Sequence, residues 1–183
     1  SDYTIPHPTQ QRSGYGIRKY ANKNFWNLQA SYIDRPFIRY AEVLLNYAEA
    51  VYELNGAISD IVLDQTINAL RDRLPQINIG TDTNPNFVSM AKLTNAFVNA
   101  NGLNMLTEIR RERKVELSFE GLAYWDLIRW KTAEFELPKT LYGSYLFSEY
   151  LTDSGQKWDA STTKVNDKNY IILQDASLRR FDE

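Results

Sequence analysis

The clearest pattern of hydrophobic and polar positions lies over residues 36–74. Between Pro36 and Asn55, apolar side chains recur every three or four residues, and charged or amide side chains recur with the same period on another face. This pattern is typical of an amphipathic helix. Pro36 suits the first helical turn, and Gly56 suits the left-handed position just after the last turn. The sequence therefore predicts a helix over 36–55.

A second helix is predicted over 60–74. Ser59 is a candidate N-cap, because its hydroxyl can accept a hydrogen bond from an unpaired backbone N–H of the first turn. Pro75 ends the pattern, since proline cannot continue a helix. The apolar stripe of this helix consists of Leu63, Ile67, Leu70 and Leu74. The short link at 56–59 indicates that the two helices form an antiparallel hairpin.

Two further regions follow the predicted hairpin. Residues 76–103 are rich in asparagine, and we expect a connection there with a short helix within 87–98. Charged and aromatic residues then dominate 104–131, where two helices are predicted. The first of these helices begins near Asn101 or Asn104.

The last predicted helix covers about 121–131. After Pro138 the helical periodicity fades, and Gly, Ser, Thr and Asp become frequent. We therefore expect 138–183 to form a loop-rich tail, with a short apolar element at 170–173. The predicted fold class is all-α, with helix hairpins of tetratricopeptide-like type and long irregular loops.

A dense run of alternating charge covers 109–121. Continuing the face that carries Leu106 and Ile109 gives Arg113, Glu116 and Glu120. Charged side chains thus occupy positions that the pattern would otherwise fill with apolar ones. One interpretation is a carboxylate pair for glycoside cleavage. The other is a structural salt-bridge network of Arg113, Glu116, Glu120 and Arg129. The interleaved arginines favour the network, because carboxylates held ionised by guanidinium groups are poor general acids.

Two tryptophans, Trp125 and Trp130, follow the charged run. A flat indole ring could serve as a platform for a sugar, or it could pack between helices. Trp125 lies three residues after Leu122 and three before Ile128, which is the spacing of one helix face. We therefore expect both tryptophans to be packed inside.

Composition excludes several function classes. The chain has 183 residues, a formal net charge of −2, no cysteine and one histidine, His7. Balanced charge argues against nucleic-acid binding, and one histidine without cysteine cannot form a standard zinc site. The sequence contains no phosphate-binding glycine loop and no other motif that would call for a cofactor. Neither an initiator Met nor a signal segment is present, so we expect a fragment of a longer protein.

Three segments resemble one protein family in the right order. Residues 39–50 read RYAEVLLNYAEA, residues 67–73 read INALRDR, and residues 112–130 read ERKVELSFEGLAYWDLIRW. These segments are similar to motifs of the SusD/RagB-like proteins, which are cell-surface glycan-binding lipoproteins of Gram-negative polysaccharide-uptake systems. By this resemblance, 1–183 is the C-terminal SusD/RagB-like domain of a longer chain.

The resemblance implies a function without catalysis. Such a protein binds an oligosaccharide or polysaccharide at the extracellular face of the outer membrane and delivers it to a SusC-like TonB-dependent transporter. Its membrane tether is an N-terminal lipid anchor outside this fragment. If this part of the protein contacts glycan, we expect aromatic side chains in irregular segments to do so, namely Trp26, Tyr142 and Trp158.

A second function hypothesis rests on the helix pattern alone. Stacked helix hairpins form concave surfaces that bind peptides, so the chain could be a helical-repeat adaptor between proteins. A measurement of glycan binding to the full-length protein distinguishes the glycan-binding hypothesis from the adaptor hypothesis.

Overall fold

The computed structural model of the chain describes residues 17, 19–20, 36–81, 83–137, 139–147 and 163–175. It is mainly α-helical, with short strands. The chain divides into two compact units. One is Asp34–Ala123, and the other combines Ser1–Ile33 with Tyr124–Glu183.

Helix α1 covers Tyr40–Asn55 and is the longest helix of the described residues. Its end confirms the prediction, because Gly56 has φ 67° and its N–H donates to the carbonyl of Tyr52 at 2.8 Å. The predicted start at Pro36 was wrong. Arg39 is the N-cap and has extended backbone, with φ −104° and ψ 150°. Its side chain makes no capping hydrogen bond and is bound instead by residues at and after the end of another helix, as described below.

Helix α2 covers 60–72 and contains a π-helical turn. Its parts are Asp60–Leu63, the π-helical turn Asp64–Asn68, and Ala69–Asp72. Ser59 caps the first turn as predicted, since its Oγ accepts from the N–H of Val62 at 3.3 Å. Helix α1 packs against the π-helical turn. Helices α1 and α2 are therefore both present and pack together, while their arrangement as tetratricopeptide-like hairpins stays a prediction.

A small antiparallel ladder follows α2. Strand β1 (Ile77–Asn78) pairs with β2 (Phe87–Val88). The turn between them is tied by Asn78, whose Oδ1 accepts from the N–H groups of Gly80 and Asn86, each at 2.9 Å. Gly80 is required there, because a Cβ at that position would lie 2.3 Å from the carbonyl oxygen of Asn84.

The helix predicted within 87–98 is shorter and later than expected. Helix α3 covers Asn95–Ala100, capped by Thr94, and the residues at 87–88 are strand. Helix α4 covers Met105–Glu116, and the Oδ1 of Asn104 caps it by accepting from the N–H of Thr107 at 3.0 Å. The apolar core of this unit is made by side chains from α1, α2, α3, α4 and the links between them: Leu45, Ala48, Ile58, Leu63, Ile67, Leu93, Val98, Met105, Ile109 and Leu117.

The other unit contains α5 (Ala123–Arg129), apart from its first residue, and α6 (Ala133–Glu136). It also contains an antiparallel pair of strands, β3 (Leu141–Tyr145) and β4 (Tyr170–Gln174). The apolar element predicted at 170–173 is thus a strand. The prediction of loop was wrong at 141–145, because the buried strand residue Ile171 requires a hydrogen-bonded neighbour strand.

Candidate functional site

The side chain of Arg39 joins the start of α1 to the end of α4. Its Nε and Nη2 donate to the two carboxylate oxygens of Glu120 at 3.0 and 2.6 Å. Its Nη1 donates to Oε1 of Glu116 at 3.0 Å, and Nη2 also donates to the Glu116 carbonyl at 3.1 Å. Hydrogen bonding to Glu120 raises the pKa of Arg39 far above its usual range, although burial opposes the shift. The opposite carboxylate oxygen of Glu116 binds the more exposed Arg73 at 2.7 Å.

A second ionic contact ties α2 to α4. The guanidinium of Arg71 donates to the Ala91 carbonyl and to the carboxylate of Glu112, each at 2.5 Å. Arg111 also binds Glu112, and its hydrogen bond to Glu108 raises the pKa of Arg111. Glu108 and Arg71 are both buried. The charged run therefore faces neighbouring helices and forms a partly buried ionic layer.

The third contact ties α1 to α4. Arg110 binds Glu53 at 3.1 Å and lies 3.6 Å from a carboxylate oxygen of the buried Glu49. Arg113 is 5% exposed and donates to the side-chain oxygen of Asn46 at 2.7 Å. Of the residues proposed from sequence as a network, Glu116 and Glu120 share Arg39, whereas Arg113, in the last turn of α4, contacts Asn46. Sequence reasoning missed Arg39, whose only signal was its place in the segment RYAEVLLNYAEA.

Arg129, the fourth residue proposed for the network, belongs to the other unit. Its Nε donates to Asp126 at 2.8 Å, and its guanidinium lies 4.9 Å from the ring centroid of Trp130. Asp126, Trp130 and Ala133 are buried. Asp126 is thus the buried residue of α5, while Trp130, just after the helix, and Ala133, at the start of α6, are buried four and seven residues later.

The expectation that Trp125 is packed inside was wrong, although Trp130 is buried as expected. Trp125 is 65% exposed and meets Tyr124 edge to face, with ring centroids 5.6 Å apart. Both faces of α5 carry apolar residues, so periodicity alone could not choose between them. The contact of Asp126 with Arg129 fixes which face is buried, because an ionised carboxylate is buried only with a partner.

An exposed aromatic surface lies on the β3–β4 pair. Tyr142 is paired with Ile172, and Tyr145 is paired with Tyr170. Cross-strand partners share a face of a sheet, and residues two apart on β4 share a face as well. Tyr142, Tyr145 and Tyr170 therefore lie on one face, opposite the buried Ile171.

The rings of this surface contact one another. The ring of Tyr145 is 5.7 Å from that of Tyr170 and 4.8 Å from that of Phe147, both in edge-to-face geometry. Tyr142 is 53% exposed, and the other three residues are also exposed. Of the predicted sugar contacts, only Tyr142 lies within the described residues, since Trp26 and Trp158 fall outside them. We name the set Tyr142, Tyr145, Phe147 and Tyr170 the aromatic face.

The described residues were also compared with the requirements of a metal site and of a membrane-spanning helix. Among these residues, no group of three or more His, Cys, Asp or Glu side chains is arranged to hold a metal ion. None of the described helices has the length and apolar character needed to cross a membrane.

Comparison with known proteins identifies the family. Residues 1–176 match the SusD family. The SusD-like protein P38 of Formosa agariphila is 33% identical over 129 residues, which are 69% of this chain and 22% of that protein. The chain thus spans about a fifth of the length of this relative. No solved structure matches the chain. The match over nearly the whole sequence, with its three motifs in order, shows that the chain belongs to the SusD family.

Proposed function

We propose that this chain is part of a non-catalytic protein that binds oligosaccharide or polysaccharide at the bacterial cell surface. Membership of the SusD family supports the proposal, and the observation that carries it is the aromatic face. Sugar rings expose apolar C–H groups, and flat aromatic rings cover such groups at little conformational cost. Tyrosine adds a hydroxyl that can bond to sugar hydroxyls.

The proposed contacts in this part of the protein are Tyr142 on the aromatic face, with Trp26 and Trp158. Tyr145 and Tyr170 extend the surface around Tyr142, because their rings are in contact and share its side of the sheet. Several exposed rings on one side of the sheet can cover consecutive sugar units of a chain. This arrangement suits a polymeric ligand better than a single monosaccharide.

Binding without hydrolysis is supported by the surroundings of the acidic residues on and after α4. Glu108, Glu112, Glu116 and Glu120 each contact an arginine. Hydrolysis of a glycosidic bond requires a carboxyl group that is free to act as general acid, whereas each of these carboxylates is bound by a guanidinium group. These carboxylates are therefore suited to holding helices together.

The proposed setting is the extracellular face of the outer membrane, with a lipid anchor at the N-terminus of the complete protein. There the bound glycan is passed to a SusC-like TonB-dependent transporter. Exposed apolar side chains on α1 support a protein contact. Tyr40, Val43 and Tyr47 recur at helical spacing, and each is about half exposed or more. Such a stripe on a surface helix suits an interface with another protein.

Titration calorimetry with a panel of neutral, uronic-acid-containing and sulfated polysaccharides tests the proposal. We expect at least one to bind, and we expect Tyr142→Ala, Tyr145→Ala and Tyr170→Ala to weaken it. Tyr40→Ala is the matched control, because Tyr40 is an exposed tyrosine of the other unit. Absence of binding to every polysaccharide would contradict the proposal and favour the adaptor hypothesis. Release of reducing ends, abolished by one Asp or Glu substitution, would contradict binding without catalysis.

A further inference from the structure

Three features occur on α5 and in the turn that joins it to α6. The first is the exposed Trp125. The second is an open cavity of about 440 Å³ lined by Ile128, Lys131, Ala133 and Glu134. The third is the left-handed backbone of Lys131, with φ 55°. Each feature is within the unit that contains α5 and α6.

Trp125 lies on α5 three residues before a residue of the cavity lining, although it is not itself one of the lining residues. Residues three apart on a helix lie on the same face, so Trp125 is next to Ile128, which lines the cavity. The helix cannot turn Trp125 inward without exposing Asp126 and Trp130, which are buried and in contact with Arg129. The burial of Asp126 and Trp130 therefore keeps the indole of Trp125 exposed.

Among the described residues that line the cavity, the polar side chains supply one charge of each sign. Lys131 is a hydrogen-bond donor and Glu134 an acceptor. Both are exposed, and within the described part of the chain neither side chain has a hydrogen bond or an ion pair. An apolar wall with one donor and one acceptor matches a sugar ring, which has C–H faces and hydroxyl groups that both donate and accept. The opposite charges cancel, so the cavity favours a neutral sugar over an acidic one.

The backbone at Lys131 is strained. The N–H of Thr132 donates to the Leu127 carbonyl at 2.9 Å, and the N–H of Lys131 donates to the Ile128 carbonyl at 3.0 Å. This is the Schellman ending of a helix, in which glycine usually takes the left-handed position. A lysine there is unfavourable for the fold, and strain of this kind is found at functional sites. The side chain of Lys131 is thus placed at the cavity at a cost in stability.

We propose that this cavity is a binding subsite for a neutral hexose unit, with Trp125 as the stacking platform and with Lys131 and Glu134 as hydrogen-bonding groups. The proposal rests on the proposed glycan-binding function and adds a second contact region to the aromatic face. Its volume lies within the about 300–1,000 Å³ of small-molecule sites, which leaves room for more than one sugar ring. A long glycan that occupied both regions would bind more tightly than a short one.

The test is calorimetric titration with neutral hexasaccharides of glucose and of mannose, and with hexagalacturonate as the acidic probe. We expect a neutral hexasaccharide to bind, and we expect Trp125→Ala to weaken binding by about tenfold, in line with the loss of one stacked ring. Glu134→Gln should weaken it less, because an amide still accepts a hydrogen bond. Phe135→Ala is the matched control, since Phe135 is an exposed aromatic on α6, the helix that carries neither Trp125 nor Ile128.

Lys131→Gly separates a binding role from a structural one. Glycine relieves the left-handed strain while it removes the side chain, so the melting temperature should stay equal or rise while affinity for the hexasaccharide falls. Unchanged affinity in Trp125→Ala and Lys131→Gly, with loss in Tyr142→Ala, would overturn the subsite and leave the proposed function intact. Preference for hexagalacturonate, lost in Lys131→Gly, would overturn the neutral assignment. Absence of binding to every sugar would overturn both proposals.

Discussion

The side-chain amide of Asn68 closes two hydrogen bonds with the backbone of Leu93. Its Nδ2 donates to the Leu93 carbonyl at 2.9 Å, and its Oδ1 accepts from the Leu93 N–H at 2.7 Å. Both residues are fully buried. The π-helical turn of α2 ends at Asn68, and Nδ2 also contacts the carboxylate of Asp64 one turn earlier. This pairing fastens the link before α3 to α2, where neither segment could satisfy these backbone groups alone.

Replacing Asn68 tests the importance of this pairing. Asn68→Ala leaves the buried N–H and C=O of Leu93 without partners, and we expect a loss of about 2–4 kcal/mol in the free energy of unfolding. Urea denaturation measures it. Asn55→Ala is the control, because Asn55 makes an exposed hydrogen bond to the Val51 carbonyl and should change stability by less than about 0.5 kcal/mol. Equal effects of the two substitutions would contradict the proposed role.

Arg39 and Arg73 provide a second comparison, because both bind Glu116 but differ in burial. The Arg39 side chain is 18% exposed and the Arg73 side chain is 52% exposed. Arg39→Met removes one partner from each of two nearly buried carboxylates, and we expect a loss of about 2–4 kcal/mol in the free energy of unfolding. Arg73→Met should cost less than about 1 kcal/mol, since an exposed ion pair contributes little. Arg39→Lys should recover only part of the loss, because one ammonium group cannot bind both oxygens of Glu120 as a fork.

The same reasoning applies to Arg113 and Glu120. Either residue changed to alanine should lower the melting temperature, because each removes one partner from a buried or nearly buried polar contact. Thermal unfolding monitored by circular dichroism measures the change. Lys114→Ala, on the same helix but exposed, is the control for loss of a charge. An unchanged melting temperature in both variants would contradict a structural role of the charged run.

Asp64 is expected to make the free energy of unfolding depend on pH in the acidic range. Hydrogen bonding from Asn68, and then from Lys92, lowers the pKa of Asp64 below its ordinary value of 3.8. A depressed carboxyl pKa contributes stability that is present above the unfolded pKa and is lost as pH falls through the folded pKa. The stability advantage of wild type over Asp64→Asn should therefore be constant from pH 7 to 5 and shrink below about pH 4. Urea midpoints of both proteins at pH 7, 5, 4 and 3 measure it, and a difference that grew on acidification would contradict the assignment.

Local signals in the sequence were sufficient to place most helix ends. Gly56, Ser59 and Asn104 act as caps in the structure because capping depends on the conformation and hydrogen bonds of a few neighbouring residues. The apolar stripe through Leu63 and Ile67 is buried for a similar reason, since its period is a local property.

Contacts between residues that are distant in the sequence could not be predicted from local signals. Arg39, at the start of α1, binds Glu120, which is 81 residues away. The aromatic face depends on the register of β3 with β4, and irregularities in that register bring Tyr142 and Tyr145 to one side. Neither the partner of an arginine nor the register of separated strands follows from one sequence, so these features of the candidate site required the structure.

Trp125 and Trp130 give a direct test of which face of α5 is buried. Trp130→Ala removes a buried indole that stacks on Arg129, and we expect a loss of about 3–5 kcal/mol in the free energy of unfolding. Trp125→Ala should change stability by no more than about 0.5 kcal/mol, because the ring is mostly exposed. The emission difference between wild type and Trp125→Phe should be red-shifted and easily quenched by acrylamide, as expected for an indole in water. A large loss of stability in Trp125→Ala, with a blue-shifted difference spectrum, would mean that Trp125 is a core residue and would remove the platform from the proposed subsite.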